Sequence, residues 1–189
     1  MKNNIIIAGA PRTGKSSAAQ MLSMLFRYKH VCMDSIIAGL ERCFPELGIN
    51  TAAADSSIEA LSMLSAKIAP FVRAMLDSGE YDEFAPGMVL DVYQLLPEDY
   101  AKHLHGANCE IHYFITSDVT AEERFDILKA YDTPTHYTFF KPDDVLRQKC
   151  DNIVRISKFI REQCEKFSIP YYETARNRDQ VLATFVQSL

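Results

Sequence analysis

Near the start of the chain an apolar run, Asn4–Ala8, stops at Gly9, and "GAPRTGKSS" follows it to Ser17. Gly9 to Ser16 fits G-x-x-x-x-G-K-[ST] without a mismatch. A loop that wraps a phosphate must aim successive backbone N–H groups inward, and side chains at the closest approaches would block it. The helix expected after the loop adds its own free N–H groups and the positive end of its dipole. Lys15 then reaches β- and γ-phosphate oxygens, and the Ser16 hydroxyl can ligate Mg²⁺. At ordinary residue usage a chance match over the whole chain has odds below roughly one in a hundred, before a strand in front and a helix behind are demanded. Gly9, Ala10, Pro11, Arg12, Thr13, Gly14, Lys15, Ser16 and Ser17 are therefore the expected phosphate-holding set. Arg12 reads as solvated or as lying beside phosphate.

The rest of the pattern suits such a loop. Short apolar runs alternate with longer helical stretches, as in a parallel sheet with helical crossovers. Strands are expected at Asn4–Ala8, His30–Ser35, Gly87–Asp91, Glu110–Thr116 and Ile169–Thr174. Helices are expected from Lys15 to Tyr28, after Ser35, from Asp55 to Asp77, after Thr120, after Pro142 and around Val181–Val186. Leu25 and Phe26 are assigned with Ala18, Ala19 and Leu22 to the inner side of the first helix, and Pro70 to a kink or split. Thr120 and Glu123 have the spacing of a capping box. The expected architecture is three-layer α/β/α on five parallel strands, with residues 1–189 as one domain. The helical periods in Ile58–Met75 and Leu146–Phe167 supply its core.

Two carboxylates follow from this layout. Asp91 ends the strand "MVLD", where a carboxylate can hold magnesium directly or through water. Asp34 is placed at the end of the second strand, on the carboxyl edge where ligands of α/β sheets bind. There it can orient an acceptor hydroxyl and take its proton; the bland alternative is a cap for the helix at Ser35.

Composition narrows the partners. With 189 residues, net charge −5 and pI ≈ 5.5, a broad basic groove for nucleic acid is not expected. No apolar run approaches the ~20 residues of a membrane span, and the first run is too short for a signal-peptide core. Five scattered cysteines with no CxxC point to reduced thiols and a cytoplasmic setting.

"GAPRTGKSS", then "MDS", then "MVLDVYQLLP" resembles the P-loop kinases of small molecules, a group that includes adenylate, shikimate, uridine and 2-phosphoglycerate kinases and chloramphenicol phosphotransferase. The resemblance implies strand order 2-3-1-4-5, ATP with Mg²⁺ as phosphodonor, and a lid at about residues 120–145. "TAEERFDILKAYD" is similar to the lid helix of that group, Arg124 matching its leading arginine and Asp132 the aspartate that closes it. Ile127, Leu128 and Tyr131 stand where further arginines often occur, so Lys129, Lys141, Arg147 or Arg155 is expected to close over phosphate. The acceptor side is assigned to about residues 36–81, with Arg73 a candidate grip for an anionic acceptor and the acidic stretch Gly79–Phe84 read as a solvated loop.

The expected activity is phosphoryl transfer from ATP to a small metabolite, nucleoside or nucleotide, with Lys15, Asp34 and Arg124 catalytic and Ser16 and Asp91 at the metal. The alternative is a nucleotide-binding ATPase or switch without a small acceptor. The absence of an NKxD motif weighs against a GTPase, and "LDV" in place of a paired acidic strand end weighs against a motor. A relative that only binds nucleotide is the third reading. Neither the acceptor nor the oligomeric state is legible.

Overall fold

The computed structural model describes residues 4–78 and 85–189; the acidic stretch Gly79–Phe84 lies outside the described residues. Its elements run β1 (Asn4–Gly9), α1 (Lys15–Phe26), β2 (Lys29–Cys32), α2 (Met33–Cys43), α3 (Thr51–Ala54), α4 (Ile58–Asp77), β3 (Met88–Val92), α5 (Pro97–His103), β4 (Cys109–Ile115), α6 (Ala121–Tyr131), α7 (Asp143–Phe167), β5 (Tyr171–Glu173) and α8 (Arg178–Gln187). All strand pairs are parallel, and the sheet order is β2-β3-β1-β4-β5. This is the five-stranded sheet and the strand order expected.

β1 is the central strand, and all six of its residues are buried. Alternate side chains serve opposite layers, as the period of two requires. Ile6 and Ala8 pack with Leu90, Tyr113 and the inner faces of α2, α4 and α7. Ile5 and Ile7 pack with Val89, Phe114, Ala18, Ala19 and Leu22 of α1, and Leu182, Phe185 and Val186 of α8. Burial of α1 ends at Leu22; Leu25 and Phe26 are exposed, against expectation. Asn4, fully buried, fixes the start of the sheet. Its Nδ2 donates to the Asn108 carbonyl (3.0 Å), and its Oδ1 accepts from Met88 N–H (2.9 Å).

The boundaries depart from the sequence reading in three places. β2 stops at Cys32, so Asp34 belongs to the first turn of α2 and not to a strand end. A carboxylate there is favoured by the positive helix terminus. α4 runs unbroken through Pro70. The carbonyl that loses its i→i−4 partner is that of Ala66, and both residues are exposed, so water can satisfy it. α5 had no counterpart in the sequence reading; it starts on Pro97, with Glu98 and Asp99 in its first turn and Lys102 and His103 in its last. The Thr120–Glu123 capping box is present at α6.

All five cysteines are free, Cys150 and Cys164 in the core and Cys32 and Cys43 exposed. Among the described residues no helix is long and apolar enough to cross a membrane.

His112 on β4 sits with its ring centroid 4.9 Å from that of Phe185 and 5.9 Å from that of Tyr172. Neither ring nitrogen has a hydrogen-bond partner, and the Glu110 carboxylate is 3.9 Å away. Burial lowers its pKa, only partly opposed by Glu110. The folded protein thus binds fewer protons at this site than the unfolded chain once the pH falls below about 6.5. Stability should therefore fall with pH through that range, and His112→Phe should flatten the dependence. Urea unfolding of both proteins from pH 8 to pH 5 checks this; equal slopes would refute it.

Candidate functional site

The loop after β1 is shaped by two glycines with positive φ. Gly9 (φ +124) lies so close to β4 that an added Cβ would sit 2.0 Å from the Phe114 carbonyl oxygen, and Ala10 N–H donates to that same oxygen (3.1 Å). Gly14 (φ +97) turns the chain into α1 as its N-cap. No side chain caps α1 and no acidic residue stands in its first turn, so its first N–H groups and positive end are left for an anion. Within the loop, Thr13 Oγ1 and Lys15 Nζ both donate to the Ala10 carbonyl, each at 2.8 Å. Burial lowers the Lys15 pKa, opposed by the nearby charges of Asp91 and Asp34. Ser16 and Ser17 are exposed.

These residues form one wall of a cleft of about 680 Å³ at the carboxyl edge of the sheet. Pro11, Arg12, Gly14, Lys15, Ser16 and Ser17 line it together with Asp34 and Asp91. Asp91 is almost fully buried, with His30 Nε2 3.9 Å from its carboxylate. Asp34 Oδ1 accepts from Gln94 Nε2 at 2.9 Å. Of the expected site residues, Lys15, Ser16, Asp34 and Asp91 thus share one cavity.

Arg124 stands apart from them. It is 3% exposed and donates from Nη2 to the Arg12 carbonyl at 2.6 Å; burial lowers its pKa to about 10. It borders a second pocket of about 320 Å³ on the outer side of the loop, lined also by Ile127, Leu128, Ala175 and Arg178. Arg12 borders both cavities, and its guanidinium is engaged by Asp132 of the segment after α6. His136 Nδ1 is 3.0 Å from the same carboxylate oxygen.

The other expected cations are turned away from the cleft. Lys129 pairs with Asp143 (2.9 Å), Arg147 with Glu122, and Arg155 donates to the Ser56 carbonyl (3.0 Å). None of these, nor Lys141, lines the cleft. Arg73 pairs with Asp77 one helical turn away, at 2.7 Å and exposed; it does not reach the cavity.

Thr51 and Asp55 lie within the stretch 36–81 assigned to the acceptor side but were not singled out, and Tyr93, Gln94, Tyr137 and Arg178 were not placed at the cleft by the sequence reading. Arg178 had a usable signal, being a cation at the start of α8, the helix that follows the carboxyl end of β5. Tyr93 and Gln94 follow Asp91 and Val92 at the end of β3 in the same way. Thr51 and Asp55 arrive only through the packing of α3, which Tyr93 ties down by donating to the Ala54 carbonyl (3.0 Å).

No family model matches the chain, and no curated protein matches it. Solved structures do, among them a crystal structure of a gluconokinase from Sinorhizobium meliloti 1021, with a TM-score of 0.53 and 12% sequence identity over 99% of this chain and 95% of that one. A likeness spanning both chains, with sheet order β2-β3-β1-β4-β5, shows the fold: a five-stranded parallel sheet flanked by helices, the P-loop kinase fold that this gluconokinase also has.

Proposed function

We propose that the protein is an ATP-dependent phosphotransferase acting on a small hydroxyl-bearing molecule. The observation that carries the proposal is the placement of Lys15 and Asp34 in one cleft, with further cavity beyond Asp34 for an acceptor. Both readings without an acceptor, the ATPase or switch and the passive binder, leave that volume and that carboxylate without a use.

The described residues suit the donor. The loop from Gly9 to Ser17 presents backbone N–H groups to the β- and γ-phosphates, and Lys15 adds a cation at the oxygens where charge accumulates. Phosphate binding would draw Lys15 Nζ away from the Ala10 carbonyl, which only holds it in readiness. The second pocket, joined to the loop at Arg12 and Arg178, has apolar walls at Ile127 and Leu128 suited to the purine base. Arg124 there holds the loop at the Arg12 carbonyl and faces the base, which differs from a role at the transferring phosphoryl group.

Among the described residues no group of three His, Cys, Asp or Glu side chains is placed to hold a metal alone. Magnesium fits regardless, because it keeps several waters and takes phosphate oxygens, needing few protein ligands. Ser16 and Asp91 are the residues that would hold it. Bound there, it would supply positive charge that offsets the charge on the donor phosphates.

In the transfer, the acceptor oxygen forms a bond to the γ-phosphorus as the bond to the β,γ-bridging oxygen breaks, and ADP leaves with that electron pair. Asp34 accepts the hydroxyl proton, and its Gln94 hydrogen bond sets the orientation of the carboxylate.

The test is label transfer from γ-labelled ATP with Mg²⁺ across pooled water-soluble metabolites, with Lys15→Ala as the blank. A labelled small molecule absent from the blank is the expected result. Release of labelled phosphate to water alone, unchanged by the pool, would overturn the proposal in favour of the ATPase reading.

A further inference from the structure

We infer that the acceptor is a hydroxyl-rich compound without negative charge, neutral or amine-bearing; this rests on the kinase reading and concerns the same cleft. Beyond Asp34 the cavity wall offers hydrogen-bond acceptors almost throughout. Gln94 is 5% exposed and borders the cleft; its Nε2 is committed to Asp34, and its Oε1 is buried with no partner among the described residues. Thr51 Oγ1 has given its proton to Glu41 (2.7 Å), and the Tyr93 hydroxyl has given its proton to the Ala54 carbonyl (3.0 Å). Each leaves only lone pairs for a ligand. Among the described residues Asp55 has no side-chain hydrogen bond, and only one Asp34 oxygen, Oδ1, is engaged, by Gln94.

The cations of the cleft sit elsewhere. Lys15 and Arg178 belong to the phosphate loop end, and Arg12 is engaged by Asp132. Outside the lining, Lys149 acts on Asp55 and stands 5.8 Å from the Tyr137 ring centroid, while Arg155 is bound to the Ser56 carbonyl and to Asn152. His136 turns Nδ1 to Asp132 and to the Thr133 N–H. Tyr137 supplies a hydroxyl donor at this end, and Thr135 Oγ1 shares a hydrogen bond with Thr133 Oγ1 (2.8 Å).

A carboxylate or phosphate seated here would meet Asp34, Asp55 and a buried amide oxygen with little to donate to it. A polyol or amino sugar brings the donors that these atoms lack, and an ammonium group would find Asp55. Burial raises the Asp55 pKa, opposed by Lys149, and such a partner would bring it down again.

The experiment divides a deproteinised metabolite extract of the cells that make the protein on a strong anion exchanger at neutral pH, before any ATP is added. Lys15-dependent label transfer should arise from the unretained, neutral and cationic pool. Transfer confined to the retained, anionic pool would overturn this inference while leaving the kinase reading intact. No transfer from either pool by a protein that still binds ATP would overturn the kinase reading, and the inference with it. On the labelled acceptor, Asp55→Asn should raise the acceptor KM roughly tenfold or more, the scale of a lost hydrogen bond to a charged group, with the KM for ATP unchanged. An unchanged acceptor KM would remove Asp55 from the site.

Discussion

Asp34→Asn is expected to lower phosphoryl transfer by roughly 100-fold or more while leaving ATP affinity nearly intact. The substitution preserves shape. The asparagine oxygen can still accept from Gln94 Nε2, so the geometry now held at 2.9 Å survives and only basicity is lost. Asp34 lines the same cleft as the loop after β1 and its charge acts on Lys15, so ATP affinity has to be read beside turnover. Steady-state turnover beside an ATP titration separates the two effects, and an unchanged melting point excludes misfolding. Turnover like that of the wild type would remove Asp34 as the base.

The second large effect is on stability. Gly9→Ala combines a positive φ with a Cβ 2.0 Å from the Phe114 carbonyl oxygen and 2.7 Å from its nitrogen, both backbone atoms of the neighbouring strand β4. Neither strand can yield without parting β1 from β4, so the cost should exceed about 4 kcal/mol. That corresponds to a fall in melting temperature of roughly 10 °C or more for a chain of this size. Gly39→Ala is the internal comparison. It lies within α2, where an added Cβ meets nothing within 4 Å, and should stabilise by roughly 0.5–1 kcal/mol. Thermal denaturation of the three proteins decides the matter, and a Gly9→Ala protein melting with the wild type would contradict the packing described for the loop.

The phosphate loop and the strands were legible because their signals are local. Glycine spacing, an apolar run before it and a helical period after it lie within some 25 residues. Asp34 was placed in the cleft correctly but on the wrong element, since "HVCMDS" reads as extended until the packing of Met33 and Ile37 turns it into a helix. The far wall of the cleft was legible only as a segment: Thr51 and Asp55 fall within residues 36–81, whereas Gln94 and Tyr137 come from other connections and meet them only through the tertiary fold. The lid cations failed for a related reason. A sequence shows how many positive charges a segment carries, whereas Glu122, Asp143 and Asp132 decide which are already taken.

The position of β1 at the centre of the sheet has a consequence for the order in which the molecule is assembled. Its partners arrive late: Asn4 is bonded to Met88 and Asn108, 84 and 104 residues along the chain. During synthesis this strand must wait for the 84 residues to Met88 before β3 begins and for the 104 to Asn108 before β4 does, and closing such long loops is slow. The loop that follows it leans on Phe114 and is completed later still. The loop after β1 therefore takes its shape late, and the helices that form first must keep this most apolar of the strands from pairing with another chain in the meantime.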